Sequence, residues 1–403
     1  MTVLVLNSGS SSLKVQVFAL DNGGARSLAK ALIERVGRDD ALLGYSTDDQ
    51  RVDEERPCHS HLDGVRRVLE LLVDPRVGVL RDLREVDAVG HRVVHAGEAF
   101  TGSVPASDAV LAALEACCDL APLHNPPNLA GIRACLEALP GVPQVCVFDN
   151  ALHHTLPPEA YLYGLPRRFY QHDRVRRYGF HGVAIRSIVE QVEALVGARR
   201  EDLRILTLML GSGCTANALD HGRSVAVSTG FTPLEGLVQS TRSGDLDAAA
   251  VLHLLRLGRS PAEVGDLLNR GSGLKGVSEV SADMREIEAT ETERARLALD
   301  LFVHRALKYV GAYVADMGGL DVLAFGGGVG QNADEVRAAL CGRLGHLGVR
   351  LDPALNAATR KGRGGVVSTP DSAVKVVVAL VDEELVIARD TARVVRAQHE
   401  PAA

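Results

Sequence analysis

A short motif recurs at half the length of this chain. Leu6-Asn7-Ser8-Gly9-Ser10-Ser11 is answered 204 residues later by Leu210-Gly211-Ser212-Gly213-Cys214-Thr215, in a sequence of 403 residues. Each copy follows an apolar run of strand character, Thr2 to Leu6 or Ile205 to Leu210. Each precedes a second such run, Leu13 to Phe18 or Ala216 to Leu219. Both copies therefore read as strand, tight Gly/Ser turn, strand. A repeat in the same local setting near the start of each half points to duplication of one domain.

The remainder alternates strand-like and helix-like segments, as layered α/β proteins do. Val86 to His95 reads as a strand pair, and Ser107 to Cys117 as an amphipathic helix capped by Ser107 and Asp108. Pro126-Pro127 opens a helix through Ala138, and Pro143 to Phe148 is a buried strand. A long helix from about Glu291 to Met317 stops at Gly318-Gly319. Strand Leu320 to Phe325, a glycine-rich turn and a helix from Asn332 to Leu344 follow. Val374 to Leu380 is the last buried strand, and Asp382 caps a closing helix through Arg396.

Composition narrows the function classes. At 46% hydrophobic and 24% charged the chain has a core to bury, which excludes disorder. Net charge is −7 and only six of the 44 basic residues are lysine, scattered rather than clustered, which argues against a nucleic-acid partner. No run approaches the ~20 apolar residues that span a bilayer, and the start lacks a basic signal region, so no membrane partner is expected. Seven cysteines without a Cys-x-x-Cys read as reduced, mostly buried thiols of a cytoplasmic protein.

Chemistry concentrates in a few segments. Asn7 to Ser12 has the makings of a phosphate cradle: glycine lets the backbone approach an anion, and hydroxyls add donors, with Lys14 just beyond. An ordinary hairpin turn has the same composition. Gly326-Gly327-Gly328-Val329-Gly330-Gln331-Asn332 leaves an apolar strand and opens a helix, a setting that admits a flat ring or a phosphate, although it is not the dinucleotide fingerprint. Arg92 sits within an apolar strand, where a guanidinium needs an anionic partner. Arg242 lies in a polar turn, and His181 between an aromatic residue and a glycine. Strand-ending Asp149 and helix-opening Glu383 are candidate magnesium-side carboxylates. Each of these residues, taken singly, is also compatible with a structural ion pair.

Taken together and in order, the segments resemble a known family. Asn7-Ser-Gly-Ser-Ser-Ser-Leu-Lys14, Gly90-His-Arg-Val-Val-His95, Pro122-Leu-His-Asn-Pro-Pro-Asn128, Arg177-Tyr-Gly-Phe-His-Gly182, Gly230-Phe-Thr-Pro-Leu-Glu-Gly-Leu237, Thr241-Arg-Ser-Gly-Asp245 and Asp382-Glu-Glu-Leu-Val-Ile-Ala-Arg389 are similar to the signature segments of the acetate kinases. The resemblance is collinear over essentially the whole chain. It implies two duplicated actin-like (RNase H-like) α/β domains, each a mixed sheet flanked by helices, with an active-site cleft between them. An N-terminal acyl/phosphate domain over 1–150 plus 383–403 and a nucleotide-binding and dimerisation domain over 151–382 are expected. So are a homodimer, ATP as co-substrate with ADP as product, and Mg²⁺ (or Mn²⁺).

Carried over position by position, the resemblance implies Asn7 and Glu383 on the metal and Arg92, Asp149, His181 and Arg242 as catalytic groups. It implies Arg92, Val94, Leu123, His124, Phe180 and Pro233 around the acyl substrate. Lys14, Gly211, Ser212, Gly213, Asp283, Met284, Arg285, Gly328, Val329, Gly330, Gln331 and Asn332 would bind ATP. The activity implied is reversible, direct in-line transfer of the ATP γ-phosphoryl group to acetate. A carboxylate is already ionised at pH 7 and needs no general base, so alignment and cations can carry the reaction.

The chain departs from the family pattern at several positions. Met209 and Ser212 stand where the family has a histidine and an asparagine in the second turn, and Val183, Ala184 and Ile185 replace polar residues after His181-Gly182. Gln331 replaces a glutamate, Asn150 a threonine and Ala96 a glycine. These changes thin the phosphate-donor side and leave three alternatives: pyrophosphate as donor, propionate or butyrate as acceptor, or a catalytically weak nucleotide-binding regulatory member.

Overall fold

The structure, a computed structural model, describes residues 1–21 and 24–399. The chain divides into two units, Met1–Leu152 with Asp382–Ala403, and His153–Val381. The last residues of the expected N-terminal domain, 400–403, lie outside the described residues.

The first unit is built on an eight-stranded sheet: β1 (Thr2–Ser8), β2 (Ser12–Leu20), β3 (Ala25–Glu34), β4 (Arg38–Ser46), β5 (Arg51–Cys58), β6 (Ala88–Val93), β7 (Val104–Pro105) and β8 (Gln144–Phe148). Their spatial order is β5-β4-β3-β2-β1-β6-β8-β7. The second unit has β9 (Arg204–Leu210), β10 (Cys214–Asp220), β11 (Arg223–Val227), β12 (Val322–Gly326), β13 (Gly365–Val366) and β14 (Lys375–Val378), in the order β11-β10-β9-β12-β14-β13.

The second sheet repeats six strands of the first, in order and in sense. β1 pairs antiparallel with β2 and parallel with β6, and β9 does the same with β10 and β12. β8 then continues the parallel ladder from β6, as β14 does from β12. A short antiparallel edge strand closes each sheet, β7 or β13. Even the register shift between the second and third strands recurs, at Val17/Phe18 and at Ala218/Leu219. The six-residue echo in the sequence is thus the surviving trace of a whole duplicated sheet.

Burial follows from position in the sheet. β1 and β9 are central, covered on both faces, and read as near-continuous apolar runs with the same burial pattern. β5 is an edge strand and carries Arg51, Asp53, Glu54, Glu55 and Arg56, charges that discourage edge pairing. In the first unit the C-terminal helix, Glu383–His399, and the helix Asn125–Ala138 pack against β1 and β6. In the second, the helix Gly182–Val196 packs against β9 and β12, and Glu293–Met317 against β10.

Helix ends obey local chemistry. Ser107 accepts from the Val110 amide, Thr292 from Ala295, and Asp382 from Leu385 at 2.9 Å. Gly318 ends the long helix in the left-handed region at φ +66°. Two expectations are corrected. Val86 to His95 forms one strand, β6, rather than a pair, because its partners are β1 and β8 on either side. The glycine-rich segment after β12 is itself a short helix, Gly327–Asn332, and a break at Ala333 (ψ 80°) separates it from Asp334–Cys341. All seven cysteines are free thiols, six of them buried. Among the described residues no helix is long and apolar enough to cross a membrane.

Candidate active site

Parallel strands deliver side chains at their carboxyl ends, where open α/β sheets bind ligands. In the first unit β1, β6 and β8 run side by side and bring Asn7, Arg92 and Asp149 together. Arg92 donates to the Asn7 side-chain oxygen at 3.3 Å and forms an ion pair with Asp149, which is almost wholly buried. Glu383, first residue of the C-terminal helix, reaches to 3.9 Å from Arg92 Nε. Burial alone would lower the Arg92 pKa, but Asp149, Glu383 and Glu384 outweigh it and hold the guanidinium firmly protonated. For Glu383 burial dominates in the other direction: it raises the carboxyl, Arg92 opposes, and Asp149 and Glu384 add to the rise.

Two buried atoms in this cluster have no hydrogen-bond partner, Asp149 Oδ1 and Arg92 Nε. A buried carboxylate oxygen can only accept, so a cation or a donor from outside the protein would complete it. The Lys14 ammonium is committed to Glu384 at 2.6 Å, which places it on the acidic start of the C-terminal helix.

The expected acyl residues of this unit are distributed unevenly. Val94 is buried and its amide donates to Asn128 Oδ1 at 3.1 Å. His124 precedes the helix Asn125–Ala138 as its N-cap, whereas Leu123 is 54% exposed. Asn128 was not legible as a functional residue. Its amide also donates to the Ser8 carbonyl at 2.7 Å, so one side chain ties the first Gly/Ser turn to the strand end beyond Arg92. Asn150 fastens the neighbouring loop, accepting from the Ala96 amide and donating to the Gly97 carbonyl.

In the second unit the turn between β9 and β10 is closed by Gly211 N–H donating to Gly213 O at 3.0 Å. The His181 ring lies against Gly213, and its Nδ1 is 2.8 Å from Thr215 Oγ1. Arg242 donates to Gln239 Oε1 at 3.1 Å. Its charge is lowered in stability by burial, with no carboxylate pairing to offset it among the described residues. A half-buried guanidinium with only an amide partner favours an anion beside it. Gln239 is the residue that sequence reading missed here. Fully buried, it accepts from Arg242 and from the Cys214 amide, and donates to the Pro233 carbonyl at 2.7 Å. Nothing in the run Leu237 to Arg242 distinguishes it as a hub.

The glycine helix sits beside the second turn. Gly327 has φ +75° and approaches the Leu210 carbonyl and Met209 Sδ so closely that no side chain fits. Gly328 is different: a Cβ there would meet nothing within 4 Å. Glycine is therefore not demanded by packing, and the open space suits a ligand. Gln331 donates to the Ala379 carbonyl and Asn332 to Gly328 O. Arg337, wholly buried, anchors this helix through the Gly330 carbonyl at 2.8 Å and the Asn356 and Thr359 carbonyls, a role with no sequence signal. Asp283 caps the helix Met284–Glu288 and pairs with exposed Arg285, while Met284 is buried.

Val183, Ala184 and Ile185 are fully buried on the helix that follows His181. They pack the core of the unit. Met209 lies where β9 meets the glycine helix, paired in register with Gly326.

Two mixed sheets of the same topology, each flanked by helices, define a duplicated α/β protein of the actin-like type. The acetokinase family model matches residues 2–389. An acetate kinase of Thermotoga petrophila is 46% identical over 400 residues, covering 98% of this chain and 99% of that one. The crystal structure of Porphyromonas gingivalis acetate kinase superposes with a TM-score of 0.93 at 41% identity, covering 98% and 99% of the two chains. That of a Francisella tularensis propionate kinase gives 0.89 at 33%, covering 97% and 99%. The chain belongs to the acetokinase family.

Proposed function

We propose that this protein is an ATP:acetate phosphotransferase that reversibly transfers the γ-phosphoryl group of ATP to acetate, giving acetyl phosphate and ADP. The observation that carries the reading is the Arg92 cluster: a firmly protonated guanidinium at a strand end, fixed by Asp149 and Asn7, with an unpartnered carboxylate oxygen beside it. Such a group can hold the acetate carboxylate and stabilise negative charge on the transferring phosphoryl oxygens. Within the second unit, Arg242, half-buried and without a carboxylate partner, and His181 are the groups this reading assigns to the phosphoryl group. The attacking carboxylate brings its own electron pair, so no residue has to remove a proton, and the ADP oxygen leaves in line with it.

In this reading the first unit handles the acyl group through Val94, Leu123 and His124, and the second, which carries Phe180 and Pro233, handles the nucleotide. The glycine helix with Gly328 to Asn332 takes the adenosine, next to Asp283, Met284 and Arg285. The turn Gly211-Ser212-Gly213 takes the phosphates. Asn7, Glu383 and the free oxygen of Asp149 fit Mg²⁺, which favours one or two carboxylates together with phosphate oxygens. Bound by these residues, Mg²⁺ would neutralise charge on the transferring phosphate. A homodimer in the cytoplasm completes the reading.

The test is acyl phosphate formation from acetate and Mg-ATP, trapped as the hydroxamate. Turnover supports the reading. Its absence with ATP, alongside product from pyrophosphate, would overturn the assignment of the donor.

A further inference from the structure

His153 lies outside every segment discussed so far as catalytic, yet its ring is 1% exposed and both its nitrogens are engaged. Nε2 is 3.2 Å from the Phe180 carbonyl oxygen and Nδ1 is 3.0 Å from Ser224 Oγ. The carbonyl can only accept, so Nε2 carries the proton. Nδ1 of the neutral ring must then accept, from the Ser224 hydroxyl. That hydroxyl accepts from the Asn217 amide at 2.7 Å and still has its own proton to donate. The chain Asn217, Ser224, His153, Phe180 is satisfied with the proton on Nε2.

What this chain of bonds holds is a strained corner. Gly179 has φ +78° and its backbone lies against the His153 ring, with no room for a Cβ. His181, two residues on, has φ +61°, a left-handed conformation that a non-glycine residue keeps only when its surroundings over-determine it. Between them Phe180 is fixed at both ends of its backbone, its amide by Thr229 Oγ1 at 2.9 Å and its carbonyl by His153.

We propose that His153 is a positioning residue for phosphoryl transfer: as the Nε2–H tautomer it clamps the Phe180 carbonyl and so aims the His181 ring. The inference rests on the role of His181 given under Proposed function. His153→Leu keeps the bulk and removes both bonds, and misaiming a catalytic group costs roughly 10–100-fold in kcat. The expected result is that loss with the KM values for ATP and acetate within about threefold, since no contact to either substrate is removed. His153→Gln, whose amide N–H can reach the Phe180 carbonyl, recovers most of it. In a His181→Ala background, His153→Leu costs little more, because the two act as one unit.

Wild-type kcat in His153→Leu, with His181→Ala slow, overturns this inference alone. Wild-type kcat in His181→Ala overturns the reading it rests on. Nitrogen-15 NMR of histidine-labelled wild-type protein supplies a test independent of variants: the ring assigned to His153 shows a protonated Nε2. A ring whose Nε2 carries no proton overturns it.

Discussion

Arg92 and buried Asp149 form an ion pair at the adjoining ends of β6 and β8, and the carboxylate keeps one oxygen, Oδ1, without a hydrogen-bond partner. A pair serving only stability would satisfy both oxygens, because an orphaned buried acceptor costs about 1–3 kcal/mol. The half-satisfied arrangement fits the magnesium site proposed above.

Arg92→Ala removes the charge at this point and leaves Asp149 buried without its counter-ion. Turnover falls by at least ~10²–10³, the usual cost of one preorganised donor. The fold also loses about 3–5 kcal/mol, since a buried partner is left uncompensated. Arg242→Ala shows the same loss of turnover with a smaller effect on stability, because no carboxylate is paired with it. Hydroxamate trapping and urea unfolding measure the two effects separately.

Glu383 makes a pH-dependent prediction. Its pKa is raised in the fold, chiefly by burial, so the native state holds its proton more tightly than the unfolded chain does. Stability from this group is present below the unfolded carboxyl pKa and lost as pH rises through the raised one. Glu383→Gln therefore raises the melting temperature of the protein without magnesium at pH 7. The same substitution lowers activity and weakens its dependence on Mg²⁺ concentration. A melting temperature that falls would contradict the sign.

His91 predicts acid lability of the opposite kind. Buried in β6 against Gln144 Oε1, it is pulled down to about 4 by burial, the hydrogen bond opposing. The unfolded chain takes up the proton near 6.5, so stability is intact above that pH and declines as pH falls towards 4. The full loss is roughly 3 kcal/mol. Urea unfolding at pH 7.5 and pH 5 should show about 2 kcal/mol of it, and His91→Gln should reduce the difference.

Gly328 separates ligand space from packing. Alanine there meets nothing and improves helix propensity by up to about 1 kcal/mol, so Gly328→Ala raises the melting temperature slightly. If the open space belongs to the nucleotide, KM for ATP rises several-fold while KM for acetate stays constant. Steady-state kinetics with each substrate varied in turn decides it.

Much of this architecture was legible in the sequence because its signals are local or collinear. The repeat at Leu6 and Leu210 foretold two related domains, since Gly/Ser turns between apolar runs are short-range features. The helix ends at Ser107, Thr292 and Gly318 follow from residues within a turn of each other. Arg92 announced itself as a charge in an apolar strand. The residues that aim the site did not. Asn128, Gln239, His153 and Arg337 are ordinary polar residues by type and spacing, and each acts on a backbone group 6 to 120 positions away. Val183 to Ile185, which looked like lost donors, are core residues because the helix turns them inward.

The sequence alone determined the strand–turn–strand units, the helix boundaries and which charged residues could hold an anion, because local propensity and residue chemistry suffice for those. Only the tertiary structure decided which strand ends lie side by side, which buried polar atoms are satisfied and which are left for a ligand. Those outcomes depend on pairings between distant segments, where burial makes every unmade hydrogen bond costly and so fixes one arrangement.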